Sequence, residues 1–237
     1  MNNRNEVATA FRAAFPVTFP ILAGFLFLGI AYGIFMNVSG FGPVYAILMS
    51  LLIFAGSMEF VAVNLLLGGF NPLGALFLTL MVNARHLFYG ISMLEKYKGT
   101  GLKKLYLIFG LCDESFTINY TAKIPQGVDK GWYMFFVTLL NHGYWVIGAS
   151  IGGLFGSIVQ INMEGLEFVM TALFIVIFLE QWKNESVHYS AIIGLAASIV
   201  CLILFGKGNF IIPAMALILF VLTLTRKPLE KKAGETV

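Results

Sequence analysis

Between positions 81 and 90 the chain reads Met-Val-Asn-Ala-Arg-His-Leu-Phe-Tyr-Gly, which sets an arginine and a histidine inside an apolar run of membrane-span character. Near the centre of a spanning helix an arginine costs about 2.5–3.5 kcal/mol on insertion scales, so it faces a bundle interior, a water-filled path or a partner charge. Arg85 is therefore a candidate to grip a carboxylate, because its planar fork offers two parallel hydrogen bonds. The residues that could answer it are Glu59, Asp113 and Glu114. Adjacent carboxylates repel in low dielectric, so at least one of Asp113 and Glu114 must hold a proton or pair with Arg85. A carboxyl that gains and loses a proton at this depth can carry it across. His86 and His142 have the intrinsic pKa for the same work. Glu59, His86, Asp113, Glu114 and His142 thus form a candidate proton-coupling set. A candidate substrate path comprises Gly56, Ser57, Glu59, Asn83, Arg85, His86, Asp113, Glu114 and Asn141. Each also has a plainer reading: a helix-packing ion pair for Arg85, an interhelical hydrogen bond for either histidine.

Spacing says how these groups should face. Asn83 and His86 are three apart, hence on one helix face with Gly90 a turn further along. Arg85 points about 100° away, toward Tyr89 and an acid on another segment. Gly148, Gly152 and Gly156 recur every fourth residue, a small-residue stripe that lets a second helix approach closely, inside the chain or with a partner. Gly29 and Gly33 are a shorter instance. None of these glycines belongs to a phosphate loop, since no G-x-x-x-x-G-K-[ST] is present.

The elements that must hold these groups are membrane helices. With 59% hydrophobic and 11% charged residues and a mean hydropathy of +0.86, the chain lies far from a soluble domain, which carries about 25% charge. The composition makes it an all-α integral membrane protein that meets the lipid bilayer along most of its length. Its net charge of +3 is spread over flanking loops and tail, which disfavours nucleic acid as a partner. Cys112 and Cys201 both fall in apolar stretches and read as buried small hydrophobes.

Eight apolar segments are candidates to span, at about 17–36, 41–67, 72–94, 105–121, 132–160, 165–182, 187–205 and 210–225. The first 15 residues could form a separate short interfacial helix. Residues 1–16 then read as a cytoplasmic N-terminal segment, 17–225 as a transmembrane transporter domain, and 226–237 as a basic cytoplasmic tail. The second segment carries Gly56-Ser57-Met58-Glu59 in its middle and the fourth Cys112-Asp113-Glu114-Ser115, so both are expected to be interrupted. Non-helical backbone survives at membrane depth only where it lines a cavity or is buried in protein, which is where transporters keep their sites.

Lysine and arginine placement sets orientation. If all eight segments cross, both termini are cytoplasmic but the loop with Lys96, Lys98, Lys103 and Lys104 lies outside. If segments two and four re-enter, six helices cross and that loop is cytoplasmic too. An internal echo favours the second arrangement. A broken acidic segment is followed by Asn83 and His86, and a second broken acidic segment by Asn141 and His142. In the re-entrant topology the two units have opposite orientations, the plan of an inverted repeat. Trp132, Trp145 and Trp182 lie near segment ends, where amphipathic rings prefer the interface. Glu164, Glu167, Glu180, Lys183 and Glu185 read as interfacial charges.

With these residues in place the chain resembles the AzlC family, the large subunit of bacterial branched-chain amino acid exporters. The likeness rests on Phe11-Arg12-Ala13-Ala14-Phe15-Pro16 with Gly24 and Gly33, then Phe54-Ala55-Gly56-Ser57-Met58-Glu59-Phe60. It continues through Asn83-Ala84-Arg85-His86-Leu87-Phe88-Tyr89-Gly90, Asp113-Glu114-Ser115-Phe116 and the glycine-rich fifth span, covering about residues 8 to 160. Many relatives carry glutamine in place of Glu59. The resemblance implies export of leucine, isoleucine, valine or similar substrates driven by the proton gradient. It also implies a small, separately encoded membrane subunit of the AzlD type and a place in the bacterial cytoplasmic membrane. A homo-oligomer is compatible with it.

Two rivals stand beside a transporter. A membrane metalloenzyme would need a ligand set, but no H-E-x-x-H is present and His86 and His142 lie on different segments, so neither metal nor cofactor is expected. A channel or an inert assembly subunit would share the composition and differ in carrying out no substrate counterflow.

Overall fold

The computed structural model describes residues 3–69, 71–156, 175, 178–179, 182–183, 188–210, 213–214, 216–218 and 220–225. The tail at 226–237, Glu164, Glu167, Glu180 and Glu185 lie outside them, as does most of the segment expected at 165–182. The chain divides into two compact units, Met1–Leu166 and Glu167–Val237.

The first unit is built on two long helices, α1 (Asn3–Val38) and a later one, Lys130–Phe155, which is numbered α8 below. They lie side by side and run in the same direction. Phe11 meets Phe136 edge-on at 5.4 Å, the Thr18 and Tyr144 hydroxyls are 3.2 Å apart, and Asn37 Nδ2 donates to the Gly153 carbonyl at 3.0 Å. The glycines explain the close approach. Gly29 and Gly33 on α1 face Gly148 and Gly152 on α8, and Gly156 sits against Ile34 and Asn37. A Cβ on Gly33 would run into the Ala149 carbonyl, and one on Gly152 into the Ile30 carbonyl.

The separate N-terminal helix expected over the first 15 residues is absent. Helix runs unbroken from Asn3 through Pro16 and Pro20. Each proline removes one backbone donor. Packing outweighs that loss here, because Ala10, Ala14 and Thr18 are fully buried.

Between these two helices lie three broken segments. The second segment of the sequence is α2 (Pro43–Leu52) followed by α3 (Gly56–Leu67). The fourth is α6 (Lys103–Phe109) followed by α7 (Asp113–Thr121). At 1.5 Å per residue the longest of these halves is about 18 Å, well short of a hydrocarbon core of about 30 Å. The third segment is broken too: α4 (Pro72–Val82) gives way at Asn83, with φ −96° and ψ 8°, to α5 (Ala84–Met93). The 3.6-residue periodicity of that stretch conceals the break. Asn83 therefore occupies the position before α5 instead of sharing a continuous helix face with His86.

Segments two and four turn back on themselves. α2 runs against α8, with Pro43 and Ala46 beside Gly153 and the Ser50 carbonyl at His142. After the break Gly56 lies against the Trp145 ring and Phe60 stacks on Phe35, so α3 leads back toward the Gly153 end. α6 follows α8 from its other end, Lys103 Nζ lying 4.3 Å above the Trp132 ring and Gly110 against Thr138. α7 returns to the starting level, where Lys96 Nζ donates to the Tyr120 carbonyl at 2.7 Å. Met93, Tyr97, Leu107, Leu111, Tyr133 and Val137 form a buried cluster at that end.

The second unit contains α9 (Tyr189–Asn209), apolar on all sides and kinked at Gly206, whose φ of +71° only a residue without Cβ adopts freely. Among the described residues three helices are long and apolar enough to cross a membrane: Asn5–Val38, Lys130–Phe155 and Tyr189–Gly206. Cys112 and Cys201 are both free thiols.

Candidate functional site

Where segment two breaks, Phe54 takes a φ of +45°, a left-handed conformation that a bulky side chain adopts only under constraint. The turn lets α3 start at Gly56. At the other break Cys112 precedes α7, and Ser115 Oγ accepts from the Cys112 N–H at 2.8 Å while donating to the Gly110 carbonyl at 2.8 Å. Both breaks thus end in a helix N-terminus, where backbone N–H groups favour negative charge. Asp113 and Glu114 occupy the first turn of α7, and Glu59 that of α3.

Arg85, at the start of α5, joins these two N-termini. Its Nη1 pairs with Asp113 Oδ2 at 2.8 Å and its Nη2 donates to Ser57 Oγ at 3.3 Å. Both charged side chains keep about 30% of their surface accessible, so the pair is neither sealed in the core nor open to bulk. Arg85 Nε, Asp113 Oδ1 and Asn83 Oδ1 are buried without a partner. One orphan donor and two orphan acceptors on neighbouring residues are the complement of a group carrying both signs of charge.

The remaining expected site residues fall around this pair in different ways. His86 Nδ1 donates to the Asn83 carbonyl at 3.3 Å, and its ring meets Tyr89 edge-on at 5.6 Å. Glu114 is half-buried and makes no ion pair among the described residues. Asn141 is fully buried with both side-chain polar atoms unpartnered, and no contact joins it to Arg85.

Glu59 does not answer Arg85. It is fully buried and takes hydrogen bonds from the Trp145 indole N–H, at 3.0 and 3.1 Å to its two oxygens, and from the Ala55 N–H at 3.1 Å. Gly56 gives the Trp145 ring room. Position along the chain had suggested an interfacial role for Trp145, yet it is buried in the middle of α8, stacked on Tyr32. A tryptophan packs like any large apolar residue until its N–H finds a buried acceptor, so Glu59 and Trp145 could be paired only in three dimensions.

His142 makes the second junction. Its Nε2 donates to the Ser50 carbonyl at 3.1 Å and its Nδ1 is 2.8 Å from the Tyr106 hydroxyl. Ser50 and Tyr106 carried no motif, and only the approach of α2 and α6 to α8 gives them this role. Among the described residues no group of three or more His, Cys, Asp or Glu side chains is arranged to hold a metal ion.

Gly148, Gly152 and Gly156 lie away from these polar groups, on the face of α8 that meets α1.

Comparison with known proteins gives this arrangement a context. The family model described as AzlC protein matches residues 20–159. A protein of Bacillus subtilis named branched-chain amino acid transport protein AzlC is 72% identical over 98% of this chain and 91% of its own length. A Haemophilus influenzae protein described as an uncharacterized membrane protein is 52% identical over 96% of this chain and 94% of its own. The inner membrane protein YgaZ of Escherichia coli is 26% identical over 70% and 71%. No solved structure matches. Together with its long apolar helices, these relatives make the chain a helical membrane protein. It is a member of the AzlC family.

Proposed function

We propose that the chain exports branched-chain or other small apolar amino acids across the bacterial cytoplasmic membrane in exchange for entering protons. It is a transport protein and not an enzyme, as its Bacillus relative is named. The observation that carries the substrate reading is Arg85 held between Ser57 of segment two and Asp113 of segment four. A zwitterion replaces this ion pair without net change of charge. Its carboxylate takes Arg85, including the orphan Nε, and its ammonium takes Asp113 Oδ1 and Asn83 Oδ1. Desolvating a zwitterion is costly unless both charges find partners, and this site offers both. Apolar side chains nearby would accept the aliphatic part.

Proton coupling falls to the acids and histidines of the same region. Glu59 is its leading member. Arg85 is engaged with Asp113, which leaves Glu59 buried on two neutral donors, and a carboxylate in that setting is costly enough that uptake and release of a proton become conformational events.

Parallel packing of α1 and α8 requires an odd number of crossings between them. The return of α3 and α7 to the ends from which α2 and α6 set out supports one crossing, by α4–α5, with segments two and four re-entrant. The loop of Lys96, Lys98, Lys103 and Lys104 is then cytoplasmic, as are both termini. A cysteine at Gly69 should be labelled from outside intact cells and one at Lys98 protected; the reverse pattern restores eight crossings. An AzlD-type small subunit and self-association belong to the same proposal, by family resemblance.

The substrate claim is tested in cells lacking the chain and fed branched-chain dipeptides. Internal leucine, isoleucine and valine should rise above those of the parent strain, because export relieves intracellular hydrolysis. Unchanged internal pools of every amino acid would overturn the substrate class.

A further inference from the structure

Segments two and four are tied together at two places, by side chains from two different neighbours. Arg85 joins their second halves, α3 through Ser57 and α7 through Asp113. His142 joins their first halves, α2 through the Ser50 carbonyl and α6 through Tyr106. The first tie is ionic and the second is neutral, which gives them different sensitivities.

We propose that the His142 tie is a proton-operated latch, closed when the imidazole is neutral and released when it takes a second proton. The hydrogen bonds fix the closed form. A carbonyl only accepts, so Nε2 carries the proton toward Ser50, and neutral Nδ1 accepts from the Tyr106 hydroxyl. Every polar atom of the ring is then satisfied. Protonation at Nδ1 turns that nitrogen into a donor, so Tyr106 must accept instead and send its own hydrogen elsewhere.

The surroundings oppose that change. Among the described residues α6 presents Tyr106, a titratable group bonded to the ring, and Phe109 at 5.7 Å; the segment-two break presents Phe54 at 4.4 Å; α2 presents backbone carbonyl. No carboxylate touches His142 among the described residues, so an imidazolium there lacks a counter-ion. It gains one, or water, only if α6 parts from α2 and α8. Opening the first halves and protonating His142 are therefore one equilibrium. This latch adds to the transport reading a named element that couples pH to opening, and rests on that reading only for its physiological use.

Cys112, at the break after α6, reports the opening directly. In a Cys201→Ser background it is the single thiol, and its alkylation by N-ethylmaleimide is followed in proteoliposomes from about pH 8 to about pH 5.5, spanning the ordinary histidine value of about 6.5. Dividing by the rate in His142→Gln cancels the thiol's own pH dependence. Glutamine donates to Ser50 and accepts from Tyr106 but takes no proton, so the ratio should climb severalfold as pH falls. Equal pH profiles in the two proteins would overturn the latch. Tyr106→Phe supplies an independent variant should glutamine fail to fold: without the hydroxyl the tie is weakened throughout, so Cys112 should react faster than in the parent near pH 8 and the advantage should shrink toward pH 5.5. A constant ratio to the parent across that range would equally overturn it. Substrate exchange by the same liposomes is read separately; its absence in the parent removes the transport reading and leaves the alkylation result standing.

Discussion

The α1–α8 pair and the broken segments beside it are held together in opposite ways. The long helices meet backbone to backbone along their length, through Gly29, Gly33, Gly148, Gly152 and Gly156, with a hydroxyl pair on one side and the Asn37 hydrogen bond to the Gly153 carbonyl on the other. The breaks at 53–55 and 110–112 bury Phe54 and Leu111, but a few polar side chains tie the segments together beside them. Many small dispersion contacts at fixed distance cannot be given up one at a time. A guanidinium or an imidazole can exchange its partners for a substrate or a proton. The molecule thus sets a rigid spine against junctions able to switch, and the difference can be attacked from both sides.

The largest effect is expected in the spine. Gly33→Leu or Gly152→Leu drives a side chain into opposing backbone that has nowhere to move, at a cost of about 3 kcal/mol, the upper end for overpacking. Recovery from the membrane and thermal stability in detergent should both fall sharply. A stable, well-expressed Gly152→Leu protein would mean the spine is not rigid.

At the junction the opposite pattern is expected. Arg85→Lys keeps the charge but lacks the fork that reaches Ser57 and Asp113 together, so substrate exchange should fall about tenfold to hundredfold, as loss of about 1.5–3 kcal/mol of charge-assisted bonding implies. Membrane levels should stay at those of the parent. Retained exchange would reduce Arg85 to a packing role. Ser57→Ala removes one long contact of 3.3 Å and should cost about 1 kcal/mol, a change of severalfold in apparent affinity.

The smallest effect sharpens the contrast within one helix. Gly143 lies on α8 like Gly152, yet nothing stands within 4 Å of a Cβ placed there. Gly143→Ala should be neutral or raise stability by about 0.5–1 kcal/mol through lower helix-formation cost. Destabilisation as large as at Gly152 would show that close contact with α1 is not what sets Gly152 apart on this helix.

How much of this was legible in the chain follows the same division. Four-residue glycine spacing announces a close helix contact, and Gly56 and Asp113 at the heads of α3 and α7 announce where segments break, because each is a purely local signal. Asn83 did not announce its break, since Asn is tolerated inside helices and the apolar periodicity runs straight through it. Arg85 could be expected to find an acid but its choice of Asp113 over Glu59 depends on where α7 returns. Trp145 reads as an interfacial ring and Tyr106 belongs to no motif, and only the placing of Glu59 and His142 beside them gives either a role. Long-range partners of polar residues are fixed by topology, which no window of residues contains.

The central claim is that substrate and proton share the region between the two breaks, and accumulation driven by a pH gradient in proteoliposomes tests it most directly. The wild-type chain, with its small partner subunit if required, should concentrate labelled leucine into the compartment from which protons leave. Glu59→Gln, which still accepts from Trp145 and Ala55 but titrates no longer, should exchange leucine for leucine and fail to concentrate it. If gradient-driven accumulation survives Glu59→Gln and every other single neutral substitution among Asp113, Glu114, His86 and His142, these groups do not couple protons to transport, and the buried charges serve only to hold the helices together.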